Sequence, residues 1–357
     1  MLGLRPGPRY AADMVHHPLR LRVDGDALIS NWHWLAHKSG GAECGAAVKA
    51  NAYGLGARQA VKKLQGAGCR FFFVATWAEA ELLAPWPGDL DLSVLHGPMP
   101  QDMASANRLP ARPVLNSAAQ VARWRGTGRP CDVMVDTGIN RLGIRPEEVG
   151  GGLLDGLKIE TLMSHLACAD EDSPANQAQL EAFRAVAGKV CAARLSLANS
   201  AGICLGADYA FGLTRPGLAL YGGVPRREAK GHISQVARVE AQVVQRRSVP
   251  TGEKVGYGGT FTAGDGCELL VLNIGYADGY LRGFSSRGRA KVAGKWAPVA
   301  GRISMDLTAV RIDPKADVAE GDWVELDYNL PETAIQSGLS QYELLTSLGG
   351  RFKRTWT

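Results

Sequence analysis

The sequence predicts an α/β protein in which a (β/α)8 TIM-like barrel is followed by a mostly β C-terminal domain. Short apolar runs recur eight times, and segments with helical periodicity separate most of them. Strands that alternate with helices form parallel sheets, and eight such units over roughly 200 residues favour a closed barrel. After about residue 235 β-rich runs alternate with glycine-containing turns, which indicates a second domain.

The predicted elements alternate along the first part of the chain. The helix-like segments cover residues 27–38, 57–68, 78–84, 117–124 and 176–190. The apolar runs predicted as strands cover residues 46–50, 71–75, 92–97, 112–116, 132–137, 160–166, 195–200 and 218–223. Asn116 and Ser117 are N-cap candidates, since both side chains can accept a hydrogen bond from a free backbone N–H.

These patterns place the barrel at residues 14–235 and the β-rich domain at residues 236–357, with residues 1–13 as a segment that could join the second domain. Two domains agree with the length, because 357 residues exceed the usual size of one compact core. Within the second domain, helical periodicity is scarce until the run SQYELLTSLGG near the end.

The composition is that of an ordinary globular protein, with 46% hydrophobic residues, 21% charged residues and a net charge of +5. Such a small basic excess disfavours nucleic-acid binding. The seven cysteines are scattered and form no CxxC pair, so we expect neither a disulfide framework nor a metal site. No apolar run has the length of a membrane span or of a signal peptide, and we therefore expect a cytoplasmic protein without a membrane partner.

Polar residues of unusual kinds follow several of the predicted strands. They are Lys49, Asn140, Arg141, His165, Asn199, Ser200 and Arg215. Each alone has an ordinary explanation, because a lysine near a strand end usually reaches the surface and a lone histidine usually belongs to the core. In a (β/α)8 barrel, however, the carboxyl ends of the strands carry the active site. Their common position therefore predicts one site.

The lysine suits carbonyl chemistry. Lys49 lies in an apolar run, and partial desolvation lowers the pKa of an amine, so that more of it is neutral and nucleophilic. An aldehyde cofactor that carries a phosphate needs such an amine and also needs donors for its phosphate. Ser200 and Gly217 follow the last two predicted strands, where barrels often bind phosphate.

The segment VKANAYGLG at residues 48–56 and seven further segments resemble the alanine racemase family. VKANAYGLG is similar to the family's lysine signature for pyridoxal 5'-phosphate (PLP), and further matching segments follow in order. These are DTGINRLG, SHLACAD, ANSAG, RPGLALYG, VGYGGTFTA, IGYADGY and GRISMD, which together with the first span residues 48–306. The resemblance implies an isomerase that interconverts L- and D-alanine with PLP as its cofactor.

The resemblance assigns the cofactor site to the barrel. Lys49 would hold PLP covalently, and Arg141 would contact the cofactor's phenolic oxygen and the substrate carboxylate. Arg215, supported by His165, would face the pyridine nitrogen. The residues implied at the phosphate end are Tyr53, Asn199, Ser200, Gly217 and Leu218.

The resemblance also implies a homodimer with shared active sites. Lys49 and Tyr257 would be the two bases, Tyr276 would line the substrate entrance, and the Met305 N–H would bind the substrate carboxylate. Tyr257 and Met305 would come from the second subunit. A free tyrosine has a pKa of about 10, and we take Arg215 with His165 as a candidate source of the positive field that lowers it.

Two positions depart from the family pattern. Many members carry a carbamylated lysine seven residues before the arginine of DTGxxRLG, and this chain has Met134 there. Some members carry a tyrosine near the C-terminus that contacts the phosphate, and this chain has Gly350 there. The resemblance therefore does not say what orients Arg141 or what replaces that tyrosine.

Other functions stay open at this point. A broad-specificity or serine racemase on the same scaffold is one alternative, and a non-catalytic PLP-binding carrier is another. Within alanine racemisation, the sequence does not distinguish supply of D-alanine for peptidoglycan from breakdown of D-alanine.

Overall fold

The computed structural model describes residues 16–85 and 90–357, and its chain groups into two compact units. We call the larger one the barrel unit; it comprises residues 22–238, 327–348 and 354–357. The sheet unit comprises residues 239–326 and 349–353 together with the described residues up to Leu21. The domain boundary at residue 235 stays a prediction, and residues 1–13 lie outside the described residues.

The barrel unit is built around parallel strands in chain order. The seven strands of its parallel sheet are Ala46–Ala47, Phe71–Val74, Asp91–Val94, Arg112–Leu115, Pro130–Met134, Lys158–Met163 and Arg194–Ser196. Parallel strands need crossover connections, and predicted helices supply four of the six. The other two crossovers contain the short helices Met103–Arg108 and Pro146–Val149, which the sequence analysis missed. The predicted fold class is confirmed.

The eighth predicted strand, residues 218–223, is wrong. Leu218–Tyr221 is a turn of 3-10 helix, and the strand in that part of the chain is Leu213–Thr214, which pairs in parallel with Glu43–Cys44. The Gly212 N–H donates to the Leu195 carbonyl at 3.1 Å, which joins this strand to the end of the seven-stranded sheet. The run LALY is fully buried, and periodicity does not distinguish a buried strand from a buried helical turn.

Seven of the eleven helices of the barrel unit, among the described residues, begin at an N-cap whose side chain accepts a backbone hydrogen bond. The eleven helices are Gly25–Lys38, Lys49–Tyr53, Ala57–Gly66, Trp77–Leu83, Met103–Arg108, Ala118–Arg125, Pro146–Val149, Pro174–Ala187, Ser200–Leu205, Leu330–Ser337 and Gln341–Thr346. Of the two cap candidates, Ser117 is the N-cap, since its side chain accepts from the Gln120 N–H. Asn116 instead donates to the carbonyls of Leu95 and Val114.

A polar cluster lies among three neighbouring strands of the barrel. The Asp132 side chain is fully buried and accepts a hydrogen bond from Ser93 Oγ at 2.5 Å. Its other oxygen lies 3.5 Å from Arg112 Nε. Burial raises the pKa of Asp132, and the Arg112 guanidinium opposes that rise. Arg112 Nη1 also contacts the partly exposed Asp91 carboxylate at 2.7 Å, so one guanidinium joins a buried and an exposed carboxylate.

The sheet unit contains most of an eight-stranded sheet and a short hairpin. The strands of the sheet are Leu19–Val23, Ala237–Val249, Cys267–Leu272, Arg289–Val292, Lys295–Pro298, Thr308–Ile312, Trp323–Leu326 and Lys353–Trp356, and those of the hairpin are Lys254–Val255 and Phe261–Thr262. Cys267–Leu272 pairs antiparallel with Thr308–Ile312, with Leu270 opposite Val310. This antiparallel architecture agrees with the predicted β-rich second domain.

Within residues 16–85 and 90–357, no helix is long and apolar enough to cross a membrane.

Replacing Asp132 by alanine should destabilise the barrel unit more than replacing Asp91. Asp132→Ala leaves the Arg112 guanidinium without its buried partner, and breaking a buried pair by removing one partner costs about 3–5 kcal/mol. Asp91→Ala removes an exposed partner of the same arginine, which should cost roughly 1 kcal/mol or less. Urea unfolding followed by far-UV circular dichroism measures both, and equal shifts of the two midpoints would contradict this account.

Candidate active site

A cavity of about 830 Å³ lies within the barrel unit, beyond the carboxyl ends of the strands. Its wall contains every barrel residue that the sequence singled out for cofactor binding. These are Lys49, Tyr53, Arg141, His165, Asn199, Ser200, Arg215, Gly217 and Leu218. Residues from at least five separate segments of the chain therefore meet in one pocket, as expected for loops at one end of a barrel.

Lys49 lies just after its strand, not inside the predicted strand 46–50. The strand ends at Ala47, and residues 50–53 form a left-handed turn with φ between 51° and 55°. Such a conformation costs each L-residue roughly 1–2 kcal/mol, so surrounding contacts must hold it. The Ala50 N–H donates to Glu79 Oε1 at 2.7 Å, and the Ala57 N–H donates to Asn51 Oδ1 at 2.9 Å. This turn fixes Lys49 at the wall of the cavity.

The surroundings of Lys49 favour its neutral amine. Burial lowers the pKa of Lys49, and the charges of Arg141 and Arg215 lower it further, whereas Glu79 acts in the opposite direction. A lysine with a lowered pKa holds a larger neutral fraction at neutral pH. The geometry and the charge therefore agree with a lysine that reacts with carbonyl groups.

Arg215 is the buried cation of the site. Its side chain is only 7% exposed; the guanidinium donates to Ser196 Oγ, and Nη2 donates to the Ser164 carbonyl at 2.5 Å. Burial lowers the pKa of Arg215 to about 10, which still leaves it charged at neutral pH. Arginine offers donors and no acceptor, so Arg215 presents N–H groups and positive charge to whatever occupies the cavity.

His165 does not add to that charge. Burial lowers the pKa of His165 to about 3, and the charges of Arg215, Arg141 and Lys49 act in the same direction. The imidazole is therefore neutral at physiological pH, and the hypothesis that His165 contributes positive charge is wrong. The main physical reason is the burial of the ring, and the neighbouring guanidinium groups of Arg215 and Arg141 add to it.

Asn199, Ser200 and Gly217 line the part of the cavity where the resemblance places the phosphate. Ser200 Oγ accepts hydrogen bonds from the Gly217 N–H at 2.9 Å and the Ala219 N–H at 3.2 Å. The Gly217 N–H, which the resemblance directs at a phosphate, is thus engaged with Ser200 in this structure. A Cβ atom at Gly217 would lie 2.2 Å from Tyr53 Oη, so any larger residue would require the Tyr53 ring to move. Asn199 caps the following helix by accepting from the Gly202 N–H at 2.8 Å.

Asp136 organises the loop that carries Arg141. Its Oδ1 accepts from the N–H groups of Gly138, Ile139 and Asn140 at 2.9–3.1 Å, and Oδ2 accepts from the Arg141 N–H at 3.1 Å. Burial alone would raise the pKa of Asp136, but these N–H groups hold it below its ordinary value. The position that carries a modified lysine in many family members is Met134, which lines the cavity. The carboxylate of Asp136 therefore fixes the backbone of this loop.

The sequence reasoning missed several residues of the site. These are Phe73, Glu79, His96, Asp136, Tyr342 and Thr346. Glu79 had a signal, because Thr76 and Glu79 form a capping box, but nothing in that pattern connects it to Lys49. Tyr342 packs near Tyr53, with ring centroids 6.1 Å apart, and lies in a segment that the sequence placed in the second domain.

The remaining three predicted residues belong to the sheet unit. Tyr257 is 68% exposed beside a second cavity of about 530 Å³ that Arg302 also lines. Met305 is 54% exposed, and its carbonyl accepts from the Ala277 N–H at 3.0 Å. Tyr276 is half-buried, and the guanidinium carbon of Arg282 lies 5.4 Å from its ring centroid. None of the three lines the barrel cavity.

Both parts of the chain match models of one protein family. Residues 23–225 match the alanine racemase N-terminal domain, and residues 236–356 match the alanine racemase C-terminal domain. The chain belongs to the alanine racemase family. The predicted family is thus confirmed, and the two matched regions leave only short segments of the chain outside the alanine racemase models.

Relatives agree over the whole length. The chain is 41% identical to an alanine racemase of Acidiphilium cryptum, covering 95% of this chain and 99% of the relative. It is 40% identical both to the catabolic and to the biosynthetic alanine racemase of Agrobacterium fabrum, with 94–95% of this chain and 91–94% of those relatives covered. These two equal identities do not distinguish the catabolic from the biosynthetic role.

A solved structure with the same fold is the alanine racemase from Bartonella henselae with covalently bound pyridoxal phosphate. The TM-score is 0.88 at 34% sequence identity, and the match covers 96% of this chain and all of that one. An alanine racemase from Pseudomonas aeruginosa matches with a TM-score of 0.85 at 31% identity, covering 96% of this chain and all of that one.

Replacing Asp136 by alanine should loosen the loop that carries Arg141. Four backbone N–H groups lose a charged acceptor, and hydrogen bonds to charged groups contribute about 1.5–3 kcal/mol each. Limited trypsin digestion measures this as faster cleavage after Arg141. Glu147→Ala is the control, since Glu147 is an exposed carboxylate nearby that contacts Arg145 at 3.8 Å. Equal cleavage rates in the two variants would refute the role of Asp136.

Proposed function

We propose that this protein is an alanine racemase that interconverts L- and D-alanine with PLP bound to Lys49. The observation that carries the proposal is the cavity in which Lys49 meets Arg141, Arg215 and the residues around Ser200, in a chain of the alanine racemase family. A racemase must remove the Cα proton on one face and return a proton on the other. Lys49 can serve one face of Cα, and a second base must serve the other.

The barrel cavity suits PLP by its own chemistry. Lys49 offers an amine of lowered pKa for the aldehyde, and Gly217 leaves the close approach to Tyr53 Oη that a side chain would block. The Ser200 hydroxyl keeps its proton available for a phosphate oxygen while it accepts from two backbone N–H groups. When bound, PLP withdraws electrons from Cα of the amino acid and so acidifies its proton.

Lys49 serves one face of the substrate. Its amine can take the Cα proton because burial and two neighbouring guanidinium groups lower its pKa and so enlarge its neutral fraction. Arg141 has no acceptor among the described residues for its side chain, so its guanidinium is available for the substrate carboxylate. Bidentate pairing of a guanidinium with a carboxylate would fix the orientation of Cα relative to Lys49.

Arg215 is the buried, positively charged residue in the wall of the cavity. Its guanidinium is held by Ser196 and Ser164, and it stays charged while His165 is neutral. Because Arg215 can only donate, it leaves an acceptor atom that faces it unprotonated. This arrangement favours simple return of the proton to Cα over side reactions that need a strongly electron-withdrawing ring.

The second face belongs to a tyrosine of a second subunit. We propose a homodimer in which Tyr257 of the partner subunit is the second base and the Met305 N–H of the partner subunit binds the substrate carboxylate. The high exposure of both residues in the sheet unit supports this arrangement. With Lys49 and a phenol on opposite faces, either enantiomer can be the substrate.

The reaction is proposed for the cytoplasm, since all seven cysteines are free thiols. D-alanine formed there would serve as a peptidoglycan precursor, and the reverse direction would begin D-alanine breakdown.

Racemisation of serine at a kcat/KM comparable to that for alanine would instead favour a broad-specificity enzyme, because an apolar pocket rejects one added hydroxyl only weakly.

Lys49→Ala should abolish both the visible absorption band of lysine-bound PLP and the exchange of the alanine Cα proton with deuterium. The alanine side chain cannot bond the cofactor and cannot accept the proton. Lys62→Ala is the matched control, because Lys62 is an exposed lysine on the next helix. A Lys49→Ala protein with the full band and wild-type exchange would rule out Lys49 as the cofactor lysine.

Mixing inactive Lys49→Ala and Tyr257→Phe proteins should restore part of the activity. A hybrid dimer contains one site with both bases intact, and random exchange of subunits gives about half of the dimers as hybrids, so roughly a quarter of the wild-type turnover is expected if the two sites act independently. Turnover is measured after subunit exchange in mild denaturant and refolding. Failure to regain any activity, although mass spectrometry detects the hybrid dimer, would contradict the shared site.

A further inference from the structure

The C-terminal stretch of the sheet unit contains an arginine that joins two separate loops. Arg351 Nε and Nη2 donate to the two carboxylate oxygens of Asp278 at 2.6 and 2.8 Å. Its Nη1 donates to Asp306 Oδ1 at 2.8 Å. One guanidinium thus uses both sides of its planar fork, one on a fully buried carboxylate and the other on a half-exposed one.

Asp278 fixes the first loop from within. Its Oδ2 accepts from the Gly275 N–H at 3.0 Å, and its own N–H donates to the Gly275 carbonyl at 3.0 Å. Tyr276 lies between them, in the single 3-10 turn that these contacts close. The Gly349 N–H also donates to the Asp278 carbonyl at 3.1 Å, so the chain just before Arg351 contacts the same loop.

The second loop contains Met305 and is bonded to the first. The Tyr276 N–H donates to the Ser304 carbonyl and the Ala277 N–H to the Met305 carbonyl, both at 3.0 Å. A Cβ atom at Gly275 would lie 2.3 Å from the Met305 oxygen, so the two backbones approach as closely as glycine permits. Within the described residues, the Met305 N–H donates no hydrogen bond, although its carbonyl is engaged.

We propose that Arg351 is a positioning residue that holds Tyr276 and the free Met305 N–H as one rigid unit for recognition of the substrate carboxylate. The inference rests on the proposed function for the identity of the substrate. We call the three hydrogen bonds from Arg351 to Asp278 and Asp306 the Arg351 clamp. They join two loops that contain predicted substrate residues. A lysine cannot reproduce the clamp, because an ammonium group is a point charge without the planar fork.

Arg351→Lys and Asp306→Asn, in the full-length, PLP-loaded protein, test how much these hydrogen bonds contribute. Arg351→Lys keeps a positive charge near buried Asp278 but loses the planar guanidinium that bonds both aspartates. Asp306→Asn weakens only the hydrogen bond between Arg351 and the half-exposed Asp306. We expect KM for both alanine enantiomers to rise about ten-fold in Arg351→Lys and about two- to three-fold in Asp306→Asn, with kcat within about two-fold, because binding is lost in the ground and transition states alike. Arg311→Lys, an exposed arginine on strand Thr308–Ile312, is the control and should match the wild type.

Two readouts do not depend on turnover. Amide hydrogen exchange should be about ten-fold faster in residues 275–280 and 304–307 of Arg351→Lys, and unchanged in the barrel unit. Propionate, a carboxylate without an amino group, should bind about ten-fold more weakly to Arg351→Lys, measured by competition with alanine and by direct calorimetry.

The outcomes separate the clamp from the proposed function. Faster exchange with unchanged KM and propionate affinity would show a purely structural arginine and overturn the proposal. Unchanged exchange in both loops, or full retention of wild-type behaviour by Arg351→Lys, would overturn it as well. A wild-type protein that does not racemise alanine would refute the proposed function, and the exchange and propionate measurements would still decide the clamp.

Discussion

The strained turn that carries Lys49 is the constraint on which the rest of the barrel site depends. Four consecutive residues without the freedom of glycine adopt left-handed angles, and such strain persists only where neighbours over-determine the backbone. Glu79 supplies part of that restraint, since its two oxygens accept from the N–H groups of Ala50 and Ala75. The capping box of helix Trp77–Leu83 thus also holds the turn that carries Lys49. The local strain in residues 50–53 is offset by the stability of the surrounding barrel.

The charges of the cavity follow from the same crowding. Lys49, Arg141 and Arg215 converge on one volume, and each lowers the pKa of the buried imidazole of His165. A cavity with fixed positive charge and a neutral histidine attracts anions without adding another titrating group near neutral pH. Asp132, deeper in the barrel, raises the pKa of Arg215 and so supports its charge. The electrostatics of the site therefore depend on residues both at the strand ends and inside the barrel.

The repeating pattern of apolar runs was enough to predict the barrel fold, and the family motifs pointed to nine of the residues that line its cavity. The strand at Leu213–Thr214 was missed because it is only two residues long and precedes a more apolar run. The charge of His165 was assigned wrongly because burial is a property of the folded chain and not of its neighbours in sequence. Glu79 and Arg351 contact segments far away in the sequence, and no local pattern predicts a contact between residues 29, 45 or 73 positions apart.

The barrel unit is not a continuous stretch of chain. It includes residues 327–348 and 354–357, which follow the sheet unit in sequence and supply Tyr342 and Thr346 to the cavity wall. During synthesis on the ribosome, the sheet unit is therefore complete in all but a few residues before the barrel has received its last segments. Folding cannot proceed strictly from the first domain to the second, as it does in many chains with two domains. The wall of the cavity that contains Lys49 therefore lacks Tyr342 and Thr346 until residues 342–346 have been synthesised.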